Sequence, residues 1–217
     1  DDGSSPLWGD ADDGRVLPFG GQAMTNHRYL VGTVALGFDD AELLTLSAGP
    51  KSEAFWLLGP QAEAIPDVTS TPGSRLFPEG GVVIMRSAGD HVFIDCGPVG
   101  MAGRGGHGQN DCLSLEAALC GVKLLSDCGT YVYTADIKER NRFRATAAHN
   151  TPMIDGEEIN RFVRPEDLWT LRDDARPEVR RWETSAEADR LIAAHSGYRR
   201  LAQPVTAVRS VLLDKVN

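Results

Sequence analysis

The chain has 217 residues, of which 41% are hydrophobic and 24% are charged, and this composition excludes a disordered chain, a collagen-like rod and a coiled coil. No run of residues approaches the roughly 18 apolar residues of a membrane-spanning helix, so we expect no membrane partner. The 31 acidic residues outnumber the 22 basic ones and give a net charge of −9. Because nucleic-acid binding depends on basic side chains that neutralise phosphates, this charge argues against a nucleic-acid partner.

The first 60 residues predict three short helices, at 27–38, 40–48 and 52–58, with Asp39 or Asp40 as the cap of the second. Three short helices cannot enclose a core alone, so we expect them to pack against further structure. The acidic loop at 9–14 has the charge of a calcium loop but lacks the liganding positions and the closing glutamate of an EF-hand.

After a linker at 65–78, rich in proline, serine and threonine, the apolar pattern changes to a period of two residues. Short alternating runs without helices between them are typical of an antiparallel β-sandwich. The sequence therefore predicts a mainly β fold preceded by a few helices. The expected strands are 82–86, 91–95, 113–117, 122–127, 151–155, 168–172, 191–195 and 205–213.

Four cysteines fall within 33 residues, at Cys96, Cys112, Cys120 and Cys128. Their gaps of 16, 8 and 8 residues do not match the short pairs of zinc fingers and zinc ribbons. Their apolar neighbours predict buried thiols on strands rather than disulfides. The basic residues also have an uneven composition, with 18 arginines and 4 lysines, and arginine is suited to gripping carboxylates or sulfates in a bidentate fork.

A glycine-rich segment at 97–108 contains the pattern Gly-x-Gly-x-x-Gly, which is typical of dinucleotide-binding loops. Such a loop must be followed at once by a helix, whereas the residues at 111–115 alternate like a strand, so we reject nucleotide binding. So many glycines allow the backbone to pass close to a ligand. In an extended chain His107, Gln109 and Asp111 share one face, and Tyr, Arg, His and amide side chains follow within about 45 residues.

Several of these segments resemble the heparinase II/III-like polysaccharide lyases, a family that includes the oligoalginate lyases. Residues 106–116 (GHGQNDCLSLE) match a family run of the form Gly-His-x-His-x-Asp-x-Leu-Ser-Phe-Glu, and residues 127–133 (DCGTYVY) match Asp-Pro-Gly-Thr-Tyr-x-Tyr. The resemblance continues in order along the chain. Its other segments are 9–14, 140–146, 148–151, 155–156 and 195–198.

The resemblance implies a parent enzyme with an α/α-toroid followed by an antiparallel β-sandwich, and an active site between them. On this interpretation residues 1–72 are the last toroid helices plus a linker, and residues 73–217 are a β-sandwich truncated at its C-terminus. The family cleaves uronate-containing polysaccharides by β-elimination, so the expected partners are an acidic polysaccharide or oligosaccharide and the missing toroid. The expected compartment is periplasmic or extracellular, and we expect the 217 residues alone to have little activity.

By this resemblance His107 corresponds to the histidine that the family places in the cleft, and we assign it the catalytic role. The substrate-binding residues that we expect are Asn110, Tyr131, Tyr133, Arg140 and Arg144. The family's zinc ligands correspond to Asp127, His149 and position 109, where this chain has Gln109. An amide oxygen is a poorer zinc ligand than imidazole, so we expect a weakly occupied or metal-free site in which Gln109 hydrogen-bonds to Asp127 or His149.

Two other functions remain open at this stage. A β-sandwich with this loop could bind acidic glycans without cleaving them, as the change at Gln109 and the missing toroid permit. It could also be a structural domain without a ligand.

Overall fold

The computed structural model describes residues 4–10, 14–15, 18–21, 23, 25–68 and 71–216. The chain divides into two compact units. One combines Asp1–Ser5 with Asp12–Gly73, and the other combines Pro6–Ala11 with Ser74–Asn217. Among the described residues, no helix has the length and apolar character needed to cross a membrane.

The first unit contains the three predicted helices, α1 (Arg28–Gly37), α2 (Ala41–Thr45) and α3 (Ser52–Leu58), followed by a 3-10 helix at Gly59–Ala64. Asp40 is the N-cap of α2, because its side chain accepts a hydrogen bond from the backbone N–H of Leu43 at 2.8 Å. The small core of this unit consists of Ala54, Ala62 and Ile65, with the half-buried Leu36 and Leu44 packed around them. A core of this size buries little apolar area, as expected for three short helices.

The second unit contains two antiparallel sheets. The five-stranded sheet follows the chain order and comprises β1 (Arg75–Phe77), β2 (Val82–Ser87), β3 (Asp90–Asp95), β4 (Leu115–Leu119) and β5 (Val122–Leu125). The three-stranded sheet comprises β6 (Glu178–Thr184), β7 (Ala188–His195) and β8 (Ala207–Asp214).

One hydrophobic core joins the two sheets. Met85 and Ile94 from the five-stranded sheet share it with Leu191 from the three-stranded sheet, and Tyr198 and Ile159 come from the connecting segments. All five are fully buried, and sheet-on-sheet packing of this kind defines a sandwich. The predicted antiparallel β-sandwich is confirmed.

Two predicted strands, 151–155 and 168–172, are wrong. Each contributes only an isolated bridge, Ile154 to Glu157 and Phe162 to Leu171. In the first, Pro152 has no N–H to donate and Asp155 and Gly156 turn the chain at positive φ. In the second, the buried guanidinium of Arg144 donates to the carbonyls of Asp167 and Thr170, which therefore do not accept from the N–H groups of a neighbouring strand.

Several elements were not expected from the sequence, including β1, which lies within the predicted linker at 65–78. Strand β6 is an edge strand with charged residues on its exposed face, so its apolar alternation is weak. The helix α5 (Ile137–Phe143) begins where the Asp136 carboxylate accepts hydrogen bonds from the N–H groups of Lys138 and Glu139. A four-residue turn, α4 (Gly100–Gly103), completes the elements and carries Met101 and Ala102 at positive φ.

All four cysteines are free thiols, as predicted, but the prediction that all are buried on strands is wrong. Cys96 and Cys112 are buried, whereas Cys120 and Cys128 are exposed. Cys120 occupies the turn between β4 and β5, and Cys128 lies beyond the end of β5. Strand ends and turns leave these two side chains in contact with solvent.

Candidate functional site

The glycine-rich loop packs tightly against its own backbone and a neighbouring segment. Gly105 has φ of +77°, and a Cβ placed on it would lie 2.2 Å from the backbone nitrogen of Leu171. A Cβ on Gly108 would lie 2.7 Å from the nitrogen of Gly100. Gly105 and Gly108 therefore allow a close approach of backbone to backbone. The chain then leads into β4 and not into a helix.

This loop presents His107 to solvent. Its side chain is 67% exposed, and its Nδ1 lies 3.4 Å from a carboxylate oxygen of Asp10. The backbone carbonyl of His107 also accepts a hydrogen bond from the N–H of Asp10 at 2.9 Å. Two contacts to one residue fix both the backbone and the ring of His107.

The carboxylate of Asp10 is buried in an ion pair. The Nη2 of Arg140 donates to Asp10 Oδ2 at 2.7 Å, and its Nη1 lies 2.6 Å from Oδ1. The Nε2 of Gln109 donates to the same Oδ1 at 3.0 Å. Arg140 is 0% exposed, and the carboxylate of Asp10 balances its charge inside the protein. The pair holds the carboxylate in place beneath His107.

Two aromatic rings lie beside His107. The ring of Trp169 is 5.5 Å from that of His107 and 5.5 Å from that of Tyr133, on which it stacks at an angle of 24°. The guanidinium of Arg140 lies 5.4 Å from the Tyr133 ring and 5.7 Å from the Trp169 ring. Trp169 is 41% exposed. We refer to His107, Tyr133 and Trp169 as the aromatic patch.

Arg144 holds the segment that carries Trp169. The buried guanidinium donates to the carbonyl of Asp167 at 2.7 Å and to that of Thr170 at 3.5 Å. The side chain of Asp167 in turn accepts from the N–H of Trp169 at 3.3 Å. Burial lowers the pKa of Arg144 to about 10, which leaves the group charged at neutral pH.

Asn110 joins the glycine-rich loop to the segment at 158–160. Its Nδ2 donates to the Glu158 carboxylate at 2.9 Å and to the carbonyl of Asn160 at 3.0 Å. Its Oδ1 accepts from the N–H of Asn160 at 2.8 Å. Asn110 is fully buried, and its whole side-chain amide is used within the protein.

A cleft of about 430 Å³ lies next to His107. Its lining includes Trp8, Asp95, Gln109 and Asp111. Burial raises the pKa of Asp95 well above its usual value, and the charge of Asp111 adds to this. Burial likewise raises the pKa of Asp111. Both carboxyl groups are therefore harder to deprotonate than an exposed aspartate.

Asp127 and His149 come together as the resemblance implies. The Nδ1 of His149 is 2.7 Å from Asp127 Oδ2, and ligand atoms of Asp127, Cys128 and His149 all lie within 4.8 Å of one another. Burial would lower the pKa of His149, but the hydrogen bond to Asp127 and the nearby carboxylates raise it. Carboxylate, thiolate and imidazole are all zinc ligands, so this donor set fits zinc in kind.

The position of Gln109 differs from the expectation. Its Nε2 donates to Asp10 and, at 3.4 Å, to the hydroxyl of Thr130, instead of to Asp127 or His149. The Asp127 carboxylate already has partners, since Oδ2 faces His149 and Oδ1 accepts from the N–H of Gly129 at 2.9 Å. Gln109 Oε1 has no hydrogen-bond partner among the described residues.

The predicted site residues therefore fall into two groups. His107, Tyr131 and Tyr133 present side-chain surface to solvent, with Tyr131 68% exposed and stacked on Phe143 at 4.7 Å. Asn110, Arg140 and Arg144 are buried and hydrogen-bonded to other groups of the protein. A direct contact of these three residues with substrate stays a prediction.

The sequence analysis missed Asp10 and Trp169. Asp10 lies in the acidic loop at 9–14, which was compared with a calcium loop, and its partner Arg140 is 130 residues away. Trp169 falls in a segment that alternates like a strand. Trp169 lies between Leu168 and Thr170, and this local pattern does not distinguish it from a strand residue.

The comparisons with known proteins agree with this architecture. The family model of the heparinase II/III-like C-terminal domain matches residues 69–217. No curated protein sequence matches the chain. The fold is similar to the crystal structure of the heparan sulfate lyase HepC from Pedobacter heparinus, with a TM-score of 0.61 and 21% identity over 98% of this chain and 28% of that one.

Two heparinase III structures are similar to the same extent. One, with methylated lysines, gives a TM-score of 0.62 and 18% identity over 98% of this chain and 27% of its own length. The other gives a TM-score of 0.60 and 18% identity over 95% of this chain and 28% of its own length. The chain thus spans less than a third of each of these structures. With the family model matched over more than half of its residues, the chain belongs to the heparinase II/III-like C-terminal domain family.

Proposed function

We propose that this chain is part of a polysaccharide lyase that cleaves an acidic, uronate-containing polysaccharide by β-elimination. The observation that carries the proposal is the solvent-exposed imidazole of His107, held from below by the buried Asp10 carboxylate and flanked by Trp169. Membership of the heparinase II/III-like family supports it. On this proposal residues 1–72 are the last helices of an α/α-toroid plus a linker, and residues 73–217 are the β-sandwich.

The reaction requires one proton to leave carbon 5 of the uronate and one to reach the departing oxygen at carbon 4. The electrons of the broken C–H bond form the double bond between carbons 4 and 5 as the C4–O4 bond breaks. His107 is suited to one of these transfers, because Nδ1 faces Asp10 and Nε2 remains for the sugar. The carboxylate stabilises the imidazolium whenever the ring carries the proton.

Sugar contacts fall on the aromatic patch in this proposal. Exposed aromatic rings provide flat apolar surface for the C–H face of a sugar, and Trp169 and Tyr133 are stacked with each other next to His107. Tyr131 extends this surface. Asn110, Arg140 and Arg144 then act as positioning residues. Asn110 ties the chain just after His107 to Asn160, Arg140 holds Asp10 beneath His107, and Arg144 holds the segment that carries Trp169.

The experiment is an assay of the protein that contains this chain with a panel of uronate polysaccharides, monitored by the ultraviolet absorbance of the unsaturated product. We expect His107→Ala to lower kcat by about 100-fold, the effect of losing one positioned acid–base group. Its melting temperature should not change, because the ring is exposed. Arg180→Ala, which removes an exposed side chain on β6, is the control.

Two outcomes contradict the proposal. Binding of the polysaccharide without any ultraviolet change would instead support a glycan-binding module. Full activity of His107→Ala would show that proton transfer does not need this ring.

A further inference from the structure

Three potential metal ligands lie together just beyond the end of β5. Gln109, which stands where the family has a histidine ligand, is not one of them. Asp127 and Cys128 are adjacent in the chain, and His149 follows the 3-10 helix at Thr146–Ala148. Their ligand atoms lie within 4.8 Å of one another. Gln109, by contrast, donates to Asp10 and Thr130.

From this geometry we infer that Cys128 is the third protein ligand of a zinc-type metal site formed with Asp127 and His149. The thiolate takes the place that a histidine at position 109 would have filled. The inference concerns metal binding alone and does not depend on lyase activity.

The distances are close to those of a tetrahedral site. Zinc bonds of about 2.0–2.3 Å place neighbouring ligand atoms roughly 3.5 Å apart. The contact between His149 Nδ1 and Asp127 Oδ2, at 2.7 Å, must widen, and the most distant pair, within 4.8 Å, must close by roughly 1 Å. In the metal-free chain the imidazole of His149 and the carboxylate of Asp127 are hydrogen-bonded to each other.

The surroundings of the three side chains favour the binding of a metal ion. His149 is buried, and its Nε2 has no hydrogen-bond partner among the described residues, so the ring is incompletely satisfied. Cys128 Sγ lies 3.4 Å from the carbonyl oxygen of Gly129 and 3.7 Å from that of Phe143, which are weak hydrogen bonds. The thiol is exposed, which gives a metal ion a route from solvent.

The donor set also selects the class of metal. One thiolate, one imidazole and one carboxylate are a borderline-soft set, which favours Zn²⁺ or Co²⁺ over Mg²⁺ or Ca²⁺. A fourth position remains for water. Because the ligands join the end of β5 to the segment at 146–149, bound metal should stabilise this edge of the sandwich.

Cobalt provides a direct test of the sulfur ligand. The chain is stripped of metal with a chelator and titrated with Co²⁺, since a thiolate bound to Co²⁺ gives a charge-transfer band in the near ultraviolet. We expect this band to appear with about one Co²⁺ per chain. It should disappear in Cys128→Ser and persist in Cys120→Ser, which changes the other exposed thiol. Zinc affinity should fall by about 10–100-fold in Cys128→Ser only.

A second measurement needs no variant. Zn²⁺ should protect Cys128 from alkylation while Cys120 continues to react, as determined by peptide mass spectrometry. Failure of the native chain to bind Co²⁺ or Zn²⁺ would overturn the inference. So would Co²⁺ binding without the thiolate band, or equal protection of the two cysteines.

Discussion

The guanidinium of Arg140 and the carboxylate of Asp10 form a buried ion pair between residues 130 positions apart, with Nη2 2.7 Å from Oδ2. Asp10 in turn faces the Nδ1 of His107. The pair therefore joins the N-terminal segment and helix α5 to the glycine-rich loop. A buried pair is weak evidence of stability in itself, but removing one partner leaves an unopposed charge inside the protein.

Arg140→Met should destabilise the chain by about 3–5 kcal/mol, because Asp10 stays buried without its cation. Arg142→Met is the matched control. This neighbouring side chain is 72% exposed, and its contacts with Glu139 and the Phe143 ring are at the surface, so its loss should cost less than about 1 kcal/mol. Urea unfolding of both variants measures the difference. Adding Asp10→Asn to Arg140→Met should recover part of the loss. Equal destabilisation by the two single variants would contradict the role of the pair.

Gly105→Ala should be more destabilising than Gly121→Ala. Both glycines have φ near +75°, so an alanine side chain is strained by about 1 kcal/mol at either position. A Cβ on Gly105 would also lie 2.2 Å from Leu171, whereas nothing lies within 4 Å of one on Gly121. The clash should add about 1–3 kcal/mol. Thermal unfolding distinguishes them, and similar melting temperatures would show that the loop does not pack on Leu171.

Trp169→Ala should weaken sugar binding by roughly 10-fold, the effect of about 1.4 kcal/mol of ring contact. In the active protein this change should raise KM more than it lowers kcat, because the ring contacts bound sugar and not the reacting proton. Trp169→Phe should restore most of the affinity, since a flat ring returns. Titration of oligosaccharide against intrinsic fluorescence gives a second measurement. An unchanged KM in Trp169→Ala would exclude the ring from the binding surface.

His195 should make the stability of the chain depend on pH. Burial lowers its pKa from 6.5 to about 4, so between these values the unfolded chain binds a proton that the folded chain does not. Stability is therefore complete above pH 6.5 and falls as the pH decreases towards 4, by on the order of 2–3 kcal/mol. His195→Gln cannot titrate and should have a shallower dependence. Denaturant unfolding from pH 4 to 8 tests this, and identical slopes for the two proteins would refute it.

The class of fold was accessible from the sequence, because it depends on local signals. The period of two residues in β2, β3 and β7 reflects one face of each strand packed into a shared core, and the cap at Asp40 marks the start of α2. At 168–172 the same alternation was misleading, because hydrogen bonds from the Arg144 side chain hold this segment in place of strand pairing. His107 was singled out by the resemblance of residues 106–116 to the heparinase II/III-like family.

The sequence by itself therefore determined the antiparallel sandwich and the anionic charge of the chain, and it predicted free thiols; the candidate residues His107, Asp127 and His149 came from the family resemblance. Only the tertiary structure decided which of the polar residues face solvent. Asn110, Arg140 and Arg144 have the chemistry of ligand contacts, yet each is buried because a partner distant in sequence, such as Asp10 or Glu158, satisfies it. Likewise the approach of Cys128 to His149 and of Trp169 to His107 depends on how separate segments meet in space, which no local pattern of residues encodes.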